Sequence, residues 1–241
     1  MTGIYRIANH VLQIDSLYSE THDLCREYQS SEEPEIRISI SEADLNVERD
    51  KYRQMILHEH LDEKGPSEPY LETLAAYRKI AEWMPGQNTV LFHGSAVSVD
   101  GNAYLFTARS GTGKSTHVRL WREMLGNAAI MINDDKPLIQ ITDSDATVYG
   151  TPWNGKHKLG NNISVPLKAI CILERSKENH IRKITKTEAY PMLLQQVYRP
   201  ANTEAMHKTI DLIDRLRTQF YQLGCNMEPE AAVMAYNAMK G

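Results

Sequence analysis

Apolar residues change their spacing along the chain, and each change marks an element. Ile4 to Ile14 alternates loosely and predicts a hairpin turning at Asn9-His10. Asp15 or Ser16 then opens a helix carrying Leu17, Leu24, Cys25 and Tyr28. After a break at Ser30 to Pro34, Ile36, Ile38 and Ile40 recur at period two and predict a half-buried strand. Ser41 caps a charged helix running to His60. Lys64 to Pro69 reads as a linker. Tyr70, Leu74, Tyr77, Ala81 and Met84 then follow at helical spacing until Pro85-Gly86 stops the helix.

From Thr89 the texture becomes β. Thr89 to Phe92, Ser95 to Val99 and Ala103 to Thr107 are predicted strands, the last two joined by a two-residue Asp100-Gly101 turn. A helix over His117 to Leu125 follows, with Gly126 as its C-cap, and then a strand over Ala128 to Ile132. Pro137 to Thr142 and Thr147 to Tyr149 form a hairpin, and Gly150 to Asn162 is a polar loop. Ala169 to Leu173 predicts a buried strand and Ile181 to Ile184 an edge strand. Helices over Thr187 to Tyr198 and Thr203 to Phe220, a strand over Tyr221 to Cys225 and a helix from Pro229 to Met239 close the chain. The expected organisation is a small α+β lobe at 1–86 and a larger α/β domain at 87–241. A hairpin beside the central strand makes the larger sheet mixed.

Composition narrows the function classes. The 241 residues are 41% hydrophobic and 24% charged, ordinary globular values, and the net charge of −4 leaves no basic footprint for nucleic acid. Cys25, Cys171 and Cys225 are too scattered for a zinc site or a disulfide framework. With no basic-then-apolar leader and no long apolar run, a cytoplasmic protein without membrane contact is expected. The oligomeric state is open. His58-Glu59-His60 is not a metal pattern, because residues 58 and 60 point about 200° apart on a helix.

The chemistry concentrates at Ala108 to Thr116, Ala-Arg-Ser-Gly-Thr-Gly-Lys-Ser-Thr, between a strand and a helix. Strand, glycine loop, Gly-Lys-Ser and helix is the context of a phosphate-binding P-loop, although Ala108 stands where the strict pattern has glycine. Gly111 and Gly113 allow main-chain amides to approach a phosphate, and the helix N-terminus adds partial positive charge. Lys114 reaches the β/γ-phosphates, and Ser115 can hold Mg²⁺. Twenty residues on, Asp134 and Asp135 follow an apolar strand. Two adjacent carboxylates can divide the work, one holding metal and the other accepting a proton. A polar turn is the plain alternative. Gly155-Lys156-His157-Lys158 offers cations to an anion or to solvent. Gln195, Tyr198 and Arg199 have no physical claim on the site.

Ser110 to Thr116 together with Asn133-Asp134-Asp135, and His93-Gly94 upstream, resembles the HPr kinase/phosphorylase and ATP-dependent phosphoenolpyruvate carboxykinase superfamily. The resemblance implies a P-loop kinase core with a mixed sheet. It implies ATP (or GTP) and Mg²⁺, with the nucleotide on Ser110, Gly111, Thr112, Gly113, Lys114, Ser115 and Thr116. Ser115 and Asp134 would hold metal, Asp135 (or Asp134) would be the base, and His93 would support the acceptor or metal side. The carboxykinase arginine motif and the HPr kinase signature after the Asp pair are absent. The chain is similar to the smaller, stand-alone HPr kinase-like proteins, and that resemblance implies an acceptor hydroxyl on a small molecule or on a serine of a peptide or protein. A nucleotide-binding regulatory module is the alternative. A transporter-type ATPase lacks its Leu-Ser-Gly-Gly-Gln signature here.

Overall fold

A computed structural model describes residues 1–59, 65–155 and 157–241, with side chains omitted at 55–59. His60 of the His58-Glu59-His60 run, Lys64 at the start of the Lys64 to Pro69 linker, and Lys156 therefore lie outside the described residues, and Glu68 and Pro69 at the linker's end already belong to the following helix. The chain divides into two compact units, Met1–Trp83 and Met84–Gly241.

In the first unit, β1 (Thr2–Ile7) and β2 (His10–Asp15) pair antiparallel, and β3 (Ile36–Ser39) joins β2 in parallel. The β1–β2 turn is centred on Ala8-Asn9, both at positive φ (51° and 66°), and not on Asn9-His10. Ile7 pairs with His10, so His10 already belongs to the ladder. Three helices complete the unit: α1 (Glu20–Leu24), α2 (Glu42–Glu59) and α3 (Glu68–Trp83). Asp15 and Ser16 do not cap α1, whose N-cap is Ser19. Fully buried Glu72 on α3 accepts hydrogen bonds from the Leu17 and Tyr18 amides and the Thr21 hydroxyl, which holds the approach to α1 out of helical form. Along its first turns α2 is polar and buries Leu45 and Glu48. It docks on α3 through ion pairs: Glu48 with Arg78 Nε at 2.7 Å, Asp44 with Lys79 at 2.8 Å, and Arg49 with Glu68 at 2.7 Å.

The second unit is mixed α/β. Its strands are β4 (Thr89–Leu91), β5 (Ser95–Val99), β6 (Asn102–Thr107), β7 (Ile130–Asn133), β8 (Leu138–Ile141), β9 (Ala146–Tyr149), β10 (Ser164–Arg175), β11 (His180–Ile184) and β12 (Gln219–Cys225). The sheet runs β4-β8-β9-β10-β6-β5-β7, with β12 and β11 branching from β10. The long β10 joins two portions. Ser164 to Pro166 pair antiparallel with β9, whereas later residues pair in parallel with β6 and with β12. The ladder carries an irregularity between Leu167 and Ala169. The Asp100-Gly101 turn (φ 51° and 71°) joins β5 to β6 as the sequence predicts.

Alternate residues of β6 enter two cores, which is why the strand is apolar throughout. Ala103 and Leu105 join Ile170, Ile172, Leu193 and Leu212, and so face α5 (Lys186–Gln196) and α6 (Thr203–Arg215). Tyr104 and Phe106 join Val118, Trp121, Ala232 and Ala235, and so face α4 (Lys114–Leu125) and α7 (Pro229–Met239). The helix expected to run to Phe220 stops at Arg215. Phe220 suits either period, and Gln219 and Phe220 are claimed by the parallel ladder with Ala169 and Ile170. Among the described residues, no helix is long and apolar enough to cross a membrane.

His117 is buried in the α4 core, where Trp121 Nε1 donates to its Nε2 at 3.1 Å and Nδ1 has no partner. Burial pushes its pKa from 6.5 down to about 4. Between those values the unfolded chain binds the proton and the folded chain does not. His117 therefore contributes stability that is full above pH 6.5 and is lost as pH falls toward 4, up to about 3 kcal/mol. Denaturant titrations from pH 7 to pH 4 should show this loss in the wild type and a flatter profile in His117→Phe; parallel profiles would refute it. Glu72→Ala should destabilise the first unit by about 3 kcal/mol, since three donors lose a buried carboxylate. A change within about 0.5 kcal/mol would remove Glu72 as its anchor.

Candidate functional site

The chain leaves β6 through Ala108, which is fully buried. Ala108 is not among the positive-φ residues, so a methyl costs nothing where the strict motif has glycine. Gly111 (φ 74°) and Gly113 (φ 119°) do occupy backbone space that a side chain disfavours. Gly113 is the N-cap of α4 and supplies no side-chain cap, and no acidic residue occupies the first turn. The first amides of α4 are thereby left for an anion.

Lys114 is half-buried. Its Nζ donates to Ala108 O at 3.2 Å, and no carboxylate among the described residues forms an ion pair with it. Burial lowers its pKa, with the more distant Asp135 charge opposing. The loop therefore carries a cation short of a counter-charge.

At the end of β7, fully buried Asn133 shapes the second half of the site. Its Oδ1 accepts from the Asp135 amide at 2.8 Å and the Lys136 amide at 2.6 Å. Its Nδ2 donates to Thr151 O at 3.2 Å, Thr151 Oγ1 at 3.1 Å and Trp153 O at 3.3 Å. Asp134 Oδ1 accepts from the Gly155 amide at 2.6 Å, and Ser95 Oγ donates to Asp134 O at 2.9 Å.

The two carboxylates differ. Burial raises the pKa of Asp134, against hydrogen bonds from the Gly155 and Leu159 amides, and the charge of Asp135 adds to the rise. Burial would raise Asp135 too, but His93 and Lys136 outweigh it and hold its pKa below the usual range. His93 Nε2 lies 3.2 Å from Asp135 Oδ1, and Lys136 Nζ 3.1 Å from Oδ2. The His93 main chain is pinned on both sides: its amide donates to Gln196 O at 2.8 Å, and its carbonyl accepts from Thr107 Oγ1 at 3.0 Å. A side chain at Gly94 would come within 3.0 Å of Phe106 O, so this turn packs against the end of β6.

A cleft of about 280 Å³ lies along α4 and is lined by Ser115, Thr116 and Asp134 among others. Ser115 and Asp134 thus share one space. Ser110, Gly111, Thr112, Gly113 and Lys114 of the glycine loop are not among its lining residues, and neither are His93 and Asp135, which pair with each other. Asp134 and Ser115 are hard oxygen donors, the kind Mg²⁺ takes with a phosphate and water. No cluster of three or more His, Cys, Asp or Glu ligands exists among the described residues.

Sequence reasoning missed Lys136, Ser95, Thr151 and the Gly155 amide, since nothing in their local pattern points to distant carboxylates. Gln195, Tyr198 and Arg199 do not line the cleft; the neighbouring Gln196 backs His93 through its carbonyl. Arg119 and Arg122 line the cleft, and their i+4 and i+7 spacing from Ser115 was a readable signal.

No curated protein matches the chain. Among solved structures, the HPr(Ser) kinase/phosphatase from Coxiella burnetii is similar at 8% identity and a TM-score of 0.38, covering 61% of this chain and 89% of that one. A likeness this distant carries no functional argument. A family model described as SynChlorMet cassette protein ScmC matches residues 67–238. That match spans well over half of the chain, and the protein belongs to the ScmC family.

Proposed function

We propose that the protein is an ATP- and Mg²⁺-dependent phosphotransferase that moves the γ-phosphoryl group to a hydroxyl acceptor. The observation that carries this reading is charge imbalance between two segments that meet in one cleft, the start of α4 at Ser115 and the end of β7 at Asp134. Among the described residues, Lys114 forms no ion pair and the α4 N-terminus has no side-chain cap. Asp134 is half-buried beside another carboxylate and has no cation partner among the described residues. A nucleotide phosphate with a divalent cation supplies both missing charges at once.

Roles follow from the neighbours each group already has. Lys114 and the loop amides from Ser110 to Thr116 would bind and orient the phosphates. Ser115 and Asp134 would hold Mg²⁺, which would neutralise developing charge on the phosphoryl oxygens. Asp135 already has the Lys136 ammonium and the His93 ring beside it. It would accept the acceptor's proton while the acceptor oxygen bonds to phosphorus and the bond to the ADP oxygen breaks. His93 would keep Asp135 oriented and stabilise its charge.

Two variants test this. Lys114→Ala should weaken ATP·Mg²⁺ binding by about tenfold or more in calorimetry, the loss of a charge-assisted contact. Unchanged affinity would sink the phosphate assignment. Asp135→Asn should keep nucleotide affinity within about threefold but slow Mg²⁺-dependent ADP release by about 100-fold or more. Full turnover in that variant would remove Asp135 as the base.

A further inference from the structure

The cleft extends past the metal-holding end, and its far wall is cationic. Ser115, Arg119 and Arg122 fall at i, i+4 and i+7, along one face of α4. At 1.5 Å per residue, the two arginines are rooted about 6 Å and about 10 Å along the helix from Ser115. Helical side chains lean toward the N-terminus, so both guanidiniums can reach back toward the glycine loop. Arg119 pairs with Glu123 one turn on, at 2.6 Å. Arg122 is half-buried and makes no ion pair among the described residues. The rest of the lining is mixed: Val118, Met131 and Leu159 offer apolar surface for a short carbon frame, and Ser95, Thr116 and His157 offer polar groups.

We propose that this cleft is the acceptor subsite and that it takes a small anion carrying a hydroxyl, a hydroxy acid or a hydroxyl-bearing phosphate. The anionic group sits on Arg122, with Arg119 in support. The carbon frame lies on Met131 and Leu159. The hydroxyl points to the Asp134 end, where the phosphoryl group is delivered. In the transfer the acceptor's O–H gives its proton to Asp135, which follows Asp134 at the edge of the cleft without lining it, its oxygen bonds to the γ-phosphorus, and ADP leaves with the electrons of the broken bond. The room of about 280 Å³ matches a small molecule rather than a folded protein surface. This subsite rests on the phosphotransferase reading for its role, although its anion binding does not.

The test is calorimetric titration of three probes, glycerate, glycerol 3-phosphate and glycerol, into the full chain with and without a non-hydrolysable ATP analogue and Mg²⁺. At least one anion should bind about tenfold or more tighter than glycerol, and the carboxylate and phosphate arms decide which group the arginines prefer. Arg122→Gln should lose about tenfold of that affinity, and Arg122→Lys should restore most of it, which separates lost charge from lost fold. Equal binding of glycerol and both anions, or an Arg122→Gln variant that binds them as the wild type does, overturns the subsite. ATP·Mg²⁺ binding with no anion preference leaves phosphotransfer standing and removes the subsite. Arg122-dependent anion binding without ATP·Mg²⁺ binding keeps the anion site and removes phosphotransfer.

Discussion

One buried side chain carries the geometry of the site. The Asn133 carboxamide uses its oxygen for the Asp135 and Lys136 amides and its nitrogen for Thr151 and Trp153. It thereby sets the turn that presents both carboxylates and ties that turn to the loop whose Gly155 amide steadies Asp134. A fully buried carboxamide with every polar atom engaged is costly to disturb, because each partner would be left unsatisfied away from water. The site's precision is thus stored behind the carboxylates.

The sheet does the corresponding work for the glycine loop. β6 lies between β5 and β10 and is covered on both faces, so its end cannot shift without disturbing two cores. Trp121 of α4 packs against Tyr104 and Phe106 of β6, with ring centroids 5.2 Å and 5.0 Å apart. Strand and helix are locked together immediately before and after the loop. Gly111 and Gly113 can therefore hold their positive φ angles as a preformed cradle. Ligand binding then need not bear the cost of ordering that loop.

Charge in this region is distributed unevenly, and the unevenness separates roles that residue types alone leave equal. Asp134 and Asp135 are the same chemical group one position apart. Lys136 and His93 pair with the second, while among the described residues the first accepts hydrogen bonds from backbone amides and forms no ion pair. Arg119 is balanced by Glu123 and Arg122 is not. Asp134 and Arg122 both line the same cleft, where an ionic ligand would meet them.

Local chemistry in the sequence was enough for the loop at Ala108 to Thr116, the Asp100-Gly101 turn, the Gly126 cap and most strands, because glycine placement, turn residues and short-range periodicity act within a few positions. The same local reading extended the helix of Thr203 too far and saw less than half of β10. Phe220 satisfies both periods, and Pro166 with Lys168 hides the start of the long strand. The pairing partners that decide those cases lie far away in the chain, at Ala169 and at Thr147 to Tyr149. The site divides in the same way. Gly111, Gly113, Lys114, Ser115 and the Asp pair were legible as residue types in a known order. The resemblance put Asp134 on the metal side and favoured Asp135 as base, but the different surroundings of the two carboxylates were not readable from the sequence. Desolvation and the reach of His93, Lys136 and Gly155 are three-dimensional quantities that only the folded chain decides.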